Sequence, residues 1–195
     1  MHIQSIQKPI IFPVTLAEVK AHCQIDHDDH DTMLTSMIGS AVSQIDGVSG
    51  WLGRALLTQD FRLWLPNLSG TVIHLPLPPL QAVIAVRYMD TAGATKTVSA
   101  TEYHAVTDVE PGYIELSGSW PSDIADRRLP AWVDFEAGYG DDEEDVPEII
   151  RHYIKLSVAE AYTRRELSEM GIVMTPNKFW QSMLEGWRFR MPEGI

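Results

Sequence analysis

Two neighbouring stretches decide the fold: MLTSMIGSAVSQIDGV over residues 33–48 and LTQDFRLWL over residues 57–65. In the first, Met33, Leu34, Met37, Ile38, Ala41, Val42, Ile45 and Val48 recur at i, i+3, i+4 and i+7. That spacing gathers them on one side of a helix. In the second, Leu57, Phe61, Leu63 and Leu65 alternate with Thr58, Asp60, Arg62 and Trp64. A period of two predicts a strand with one apolar face. Gly50 and Gly53 stand where the helix should end and the period change.

Upstream, Thr15 and Glu18 have the spacing of a capping box, which predicts a short helix to about Cys23 with Leu16, Val19 and Cys23 on one face. Downstream, strands are expected over 71–75, 82–89, 95–99, 102–107, 113–116 and 131–137. The turn chemistry of Asp90-Thr91-Ala92-Gly93 and Pro111-Gly112 lies between them. Short strands at such regular spacing predict a small antiparallel sandwich or barrel. Helical period returns at Asp145-Val146-Pro147-Glu148, with Asp145 as the expected cap. Ile149, Ile150, Tyr153, Ile154, Ser157, Val158, Ala161 and Tyr162 form the stripe. Gly171 to Pro176 breaks the chain, and a last short helix is expected from Asn177 to Trp187. The fold class is therefore α+β: a small helical bundle of N- and C-terminal helices with an inserted antiparallel β domain. The division is residues 1–55 for the first bundle helices and 56–138 for the insert. Residues 139–176 form a bundle helix and linker, and 177–195 a C-terminal helix and tail.

At 195 residues, with 45% hydrophobic and 22% charged side chains, the chain is long enough for a core without staples. A single cysteine, Cys23, excludes an internal disulfide and a cysteine-based zinc site, and it falls on an apolar face as an inert thiol. No apolar run reaches the roughly 20 residues of a membrane helix, and residues 1–15 lack a signal-peptide layout. The net charge is −12, and nine of the 27 acids sit in two runs, Asp26 to Asp31 and Asp141 to Asp145. Without them 18 acids face 15 bases. Such a chain lacks the basic footprint that wraps nucleic acid or docks on anionic lipid.

The first acidic run contains His27 and His30 with Asp28 and Asp31, a weak candidate metal set. Its place before the best helix favours a helix-terminal role, in which acids meet free N–H groups. The run Asp141, Asp142, Glu143, Glu144 and Asp145 exceeds what a cap needs and reads as a solvated loop or as an acidic surface for a channel or a neighbour. Arg164-Arg165 and Arg188-Phe189-Arg190 are basic clusters, read as helix-end charges or as contacts for an acidic partner. Phe179, Trp180, Met183 and Trp187 load a short helix with apolar area, for the chain's own core or for an interface. There is no Gly-x-Ser-x-Gly elbow, phosphate loop or His-Glu-x-x-His motif. No cofactor is expected.

The order of motifs is more specific than any one of them. Pro13-Val14-Thr15-Leu16-Ala17-Glu18 leads into Ile25-Asp26-His27-Asp28-Asp29-His30-Asp31, and Leu52-Gly53-Arg54-Ala55-Leu56-Leu57 follows the long helix. Leu75-Pro76-Leu77-Pro78-Pro79-Leu80, Val133-Asp134-Phe135-Glu136-Ala137-Gly138-Tyr139-Gly140 and Val146-Pro147-Glu148 complete the series. From Pro13 to Tyr162 this resembles the head–tail connector (adaptor) family of tailed phages, prophages and gene transfer agents. The C-terminal third departs from the family pattern. The resemblance implies a structural virion protein without catalysis, assembled in the bacterial host cytoplasm and placed in the neck. It implies a homo-oligomeric ring, twelve-fold in the virion, that docks on the portal protein and receives a tail or stopper protein. DNA would pass through without sequence-specific binding, and no membrane is involved. The candidate portal or subunit contacts are then Phe179, Trp180, Met183, Trp187, Arg188, Arg190, Arg164 and Arg165. Asp141 to Asp145 would face the channel or the neighbour. Two alternatives from other classes are a generic soluble interaction module and a metal-dependent enzyme using His27, His30 and nearby Asp.

Overall fold

The computed structural model describes residues 2–168 and 182–191, with side chains over 2–164 and 182–191. Two apolar cores share the chain. In the helical part, α1 (Leu16–Cys23) and α2 (Asp31–Ile45) pack on α3 (Glu148–Ser168). The Thr15–Glu18 capping box is present, with the Glu18 N–H donating to Thr15 Oγ1 at 3.1 Å and the Thr15 N–H to Glu18 Oε2 at 2.8 Å. Arg151 of α3 ties α1 down, donating to Glu18 Oε1 at 2.5 Å and to the Pro13 carbonyl at 3.2 Å. Burial alone would raise the Glu18 carboxyl, but the Thr15 hydrogen bonds and the Arg151 charge hold it below its usual value. Leu34, Ile38, Ala41 and Ile45 of α2 face Ile150, Ile154 and Val158 of α3 in one buried cluster.

The strand-rich part has eight strands in two antiparallel sheets. They are β1 (His2–Gln7), β2 (Gln59–Leu65), β3 (Val72–His74), β4 (Leu80–Met89), β5 (Thr95–Thr97), β6 (Tyr103–Val106), β7 (Tyr113–Leu116) and β8 (Ala131–Ala137). The larger sheet runs β1-β2-β8-β4-β5 and the smaller β3-β7-β6. Phe61, Leu63, Val133 and Phe135 of the larger sheet share one core with Ile73 and Ile114 of the smaller. Two separate sheets over one core make this a sandwich.

Three features differ from the sequence reading. First, residues 2–7 form an edge strand. Ile3 and Ile6 do not alternate, because the register with β2 slips between Ser5 and Gln7, so no period of two was visible. Second, α2 ends at Ile45 rather than near Gly50. Asp46 is extended and its carboxylate accepts the Leu56 N–H at 2.8 Å, which leaves Val48 45% exposed instead of on the buried stripe. Third, Asp145 belongs to a 3₁₀ turn, Glu143–Asp145, and its carboxylate accepts the Asp142 N–H at 3.0 Å instead of capping α3.

The two cores meet at a seam. The Tyr139 N–H donates to the Leu56 carbonyl at 2.9 Å and the Thr58 N–H to the Gly140 carbonyl at 2.9 Å. Between them Gly138 adopts φ +141°, and a Cβ there would lie 2.5 Å from the Leu57 backbone. Gly138→Ala is accordingly expected to destabilise the fold by about 3 kcal/mol, read as a lowered urea midpoint. A midpoint within error of the parent would contradict the seam.

Candidate functional site

The sequence-derived site residues fall in three places. At the α1–α2 turn, Lys20 donates to Asp28 at 2.5 Å and to Asp31 at 2.8 Å. These contacts, and not a side-chain cap, occupy the acids. His30 stands at the N-cap of α2 without a side-chain cap hydrogen bond. The paired ammonium holds the Asp28 carboxyl below its usual value. The His27 and His30 rings meet edge to face at 4.8 Å, and His30 Nδ1 lies 2.7 Å from the Tyr162 hydroxyl. Among the described residues no three His, Cys, Asp or Glu side chains gather as a metal site. Cys23 is half-buried, and burial pushes its thiol pKa up.

Asp141, Asp142, Glu144 and Asp145 are exposed and Glu143 half-exposed, so the second acidic run is a surface. The basic and aromatic candidates divide. Phe179 and Trp180, with the Arg165 side chain, lie outside the described residues. Arg164 pairs with Glu160 one helical turn earlier. Residues 182–184 are helical and run into a 3₁₀ turn, Glu185–Trp187. Met183 is half-buried, Leu184 is fully buried in the helical core and Trp187 packs against it. Arg188 donates to the Trp51 carbonyl at 3.0 Å with its guanidinium 4.6 Å from the Trp51 ring centroid, and Arg190 is exposed beside Glu185.

Arg54, which the sequence reading quoted only within a motif, joins these parts. Its guanidinium holds both Glu110 oxygens, at 2.7 and 2.6 Å, and its Nε donates to the Trp187 carbonyl at 2.5 Å. One buried side chain thus links the β6–β7 loop, the α2–β2 connection and the C-terminal segment. Close by, the Phe189 N–H donates to the Leu52 carbonyl at 2.8 Å. At Gly53, with φ +65°, a Cβ would lie 2.5 Å from the Phe189 carbonyl oxygen.

Two further features escaped the sequence reading. On the outer face of the larger sheet, buried Asp134 accepts from Arg62 at 2.6 and 3.0 Å and from Arg87, with Trp64 and Trp132 beside them at 5.0 Å. The alternation did place Arg62 and Trp64 outward, but only the strand register brings Asp134 opposite Arg62. Apart from these two, a basic pair, Arg127-Arg128, is exposed in the segment between β7 and β8. The second feature is a cavity of about 450 Å³ between the N-terminal arm, residues 8–12, and the C-terminal end of α2. Asp46 lies in its wall. Burial pushes that carboxyl above its ordinary value, although it accepts from Leu56 and from Gln59 at 3.1 Å.

A family model described as phage gp6-like head-tail connector protein matches residues 13–104. No curated protein matches the chain. Chains in three solved assemblies are similar over 100% of this chain and 99% of their own, each at 26% identity. They are the virion of a native gene transfer agent particle (TM-score 0.78), the neck of an empty particle computed with C6 symmetry (0.78) and the neck of a native particle computed with C12 symmetry (0.76). The family match takes in α1, α2 and strands β2 to β5. The N-terminal arm, with β1, precedes it, and β8 and α3, which complete the sheet and the bundle, follow it.

Two outcomes are expected here. Arg54→Met removes the charge-assisted hydrogen bonds and is expected to cost about 2 kcal/mol. It also makes the 182–191 segment the first site of limited proteolysis. Asp46 binds its proton more tightly folded than unfolded, so its contribution to stability is greatest at low pH. That contribution is lost as pH rises from the ordinary carboxylate value through the raised one. Asp46→Asn therefore flattens the pH dependence of the unfolding free energy over that interval, measured by urea titration at several pH values.

Proposed function

We propose that this chain is the structural head–tail connector of a phage-like particle, a neck protein that assembles as a ring and works by shape without bond-making. One observation carries the reading: the whole chain, and not a fragment of it, superposes on a chain of neck assemblies, one of them computed with twelvefold symmetry. The ring would sit on the portal protein and offer its far side to a tail or stopper protein, and DNA would cross the centre without base recognition.

The physical properties of the chain support this. A net charge of −12 with an exposed acidic turn at 141–145 repels phosphate, which suits a channel that DNA must traverse without adhering. The acids of 141–145 and the exposed bases Arg127, Arg128 and Arg190 sit on different segments, which offers the two unlike patches of a head-to-tail contact. Arg164, Met183, Trp187 and Arg188 have partners within the chain, so a role for them at the portal would act through the segment they hold in place. Phe179, Trp180 and Arg165 remain candidates for that contact.

The chain mixed with the portal protein of its particle should give rings in negative-stain images. Replacement of Asp141, Asp142, Glu143, Glu144 and Asp145 by Lys should weaken ring formation or DNA retention about tenfold. A chain that stays solitary with every virion component, or that turns over a substrate, would overturn the reading.

A further inference from the structure

Eight large apolar side chains are exposed among the described residues, and four of them line one cavity or belong to its arm: Ile10, Ile11, Phe12 and Val48. The family match begins at residue 13, so this arm lies outside it. Ile10 is 101% exposed, as open as an isoleucine can be. Its neighbours Lys8, Pro9, Ile11 and Phe12 line the cavity, and Ile10 does not. The arm therefore has two sides. One side roofs a cavity of about 450 Å³, floored by Val42 and Ser43 of α2 and by Leu57 and Phe61. The other presents a bare isoleucine to solvent.

The electrostatics point to a specific occupant. Copies of a chain with net charge −12 repel one another, so a contact between them is best placed where acids are absent or neutralised. Among the described residues the charged groups in the cavity lining are Lys8 and Asp46, one of each sign. The surface is thus apolar and electrically balanced. A ring needs a heterologous contact, in which one patch of a subunit meets a different patch of the next. A knob and a socket on opposite sides of one arm satisfy that geometry. An isologous pair would set arm against arm instead.

We infer that Ile10 of one copy enters the cavity between the arm and α2 of the next copy, so that this knob and socket repeat around the ring. The inference rests on the ring reading above. Phe12 anchors the arm by lying on Gly39 of α2, where an added Cβ would touch its ring at 3.4 Å. The socket is thereby held open before a neighbour arrives. Filling it removes Ile10 and the cavity walls from water together, the dominant favourable term in association.

The test uses the full chain with Cys23→Ser, carrying Ile10→Cys and Ser43→Cys, oxidised mildly at high concentration and, in parallel, with portal protein added. An amine-reactive cross-linker applied to the same samples reports whether copies associate at all. The double variant should give a disulfide ladder extending beyond dimer, and either single variant should not. Ile10→Asp, which should leave the melting temperature unchanged, and Ser43→Trp, which fills the socket from α2, should each abolish rings. Mixed one to one, those two variants should give dimers and nothing larger, because only one knob–socket pair survives. Amine cross-links and rings without a thiol ladder, or Ile10→Asp rings at parental yield, would overturn the docking and leave the ring reading standing. A dimer from Ile10→Cys alone would show arm-to-arm pairing and also overturn it. Absence of any association in every sample would remove the ring reading and this inference together.

Discussion

The structure depends on a seam. Residues 54–58 leave the helical core and residues 138–140 return to it, and the two backbones run close enough to exchange hydrogen bonds. Ala55 is buried in the β core while Leu56 and Leu57 are buried in the helical one, so the change of core takes a single peptide. So tight a crossing leaves no room for a side chain at Gly138. Arg54 stands at the same point and spreads the constraint. Its backbone carbonyl accepts the Gly47 N–H, and its guanidinium reaches Glu110 on one side and the Trp187 carbonyl on the other. The relative position of sheet, bundle and C-terminal segment is therefore set by one buried cation and a few backbone contacts.

The two cores are stiffened differently. The bundle is held by apolar packing of α2 on α3 and by Arg151 across α1. The sheet is held by seven consecutive paired residues between β2 and β8, reinforced on its outer face by the Arg62–Asp134–Arg87 cluster. Breaking that cluster by removing Asp134 would leave two cations facing each other, so it supports the sheet only as a complete set. The arm before Pro13 differs in kind. Among the described residues no backbone hydrogen bond ties residues 8–12, and Phe12 on Gly39 is its anchor.

Much of the local structure was legible because it follows from periodicity. Leu34, Ile38, Ala41 and Ile45 are buried where a 3.6-residue period put them, and the strands at 113–116 and 131–137 have the expected ends. The Thr15–Glu18 box could be read from spacing alone, since both partners lie within one helical turn. Misreadings arose where a side chain spends its hydrogen-bonding capacity on a distant partner. Asp31 does open α2 as its first-turn acid, but the pairing of Lys20 with Asp28 and Asp31 could not be read from spacing. Asp46 ends α2 early because Leu56, ten residues on, offers an N–H to it.

The sequence by itself therefore determined the α+β class, the helix and strand order and most of the buried faces, because each depends on neighbours within a few residues. Only the tertiary structure decided the register that sets Asp134 against Arg62, the linkage at Arg54, the edge strand at residues 2–7 and the cavity under the arm. Those depend on segments far apart in the chain, 56 residues between Arg54 and Glu110 and 72 between Arg62 and Asp134. No local period records such a meeting, since it exists only once both cores have closed around the seam.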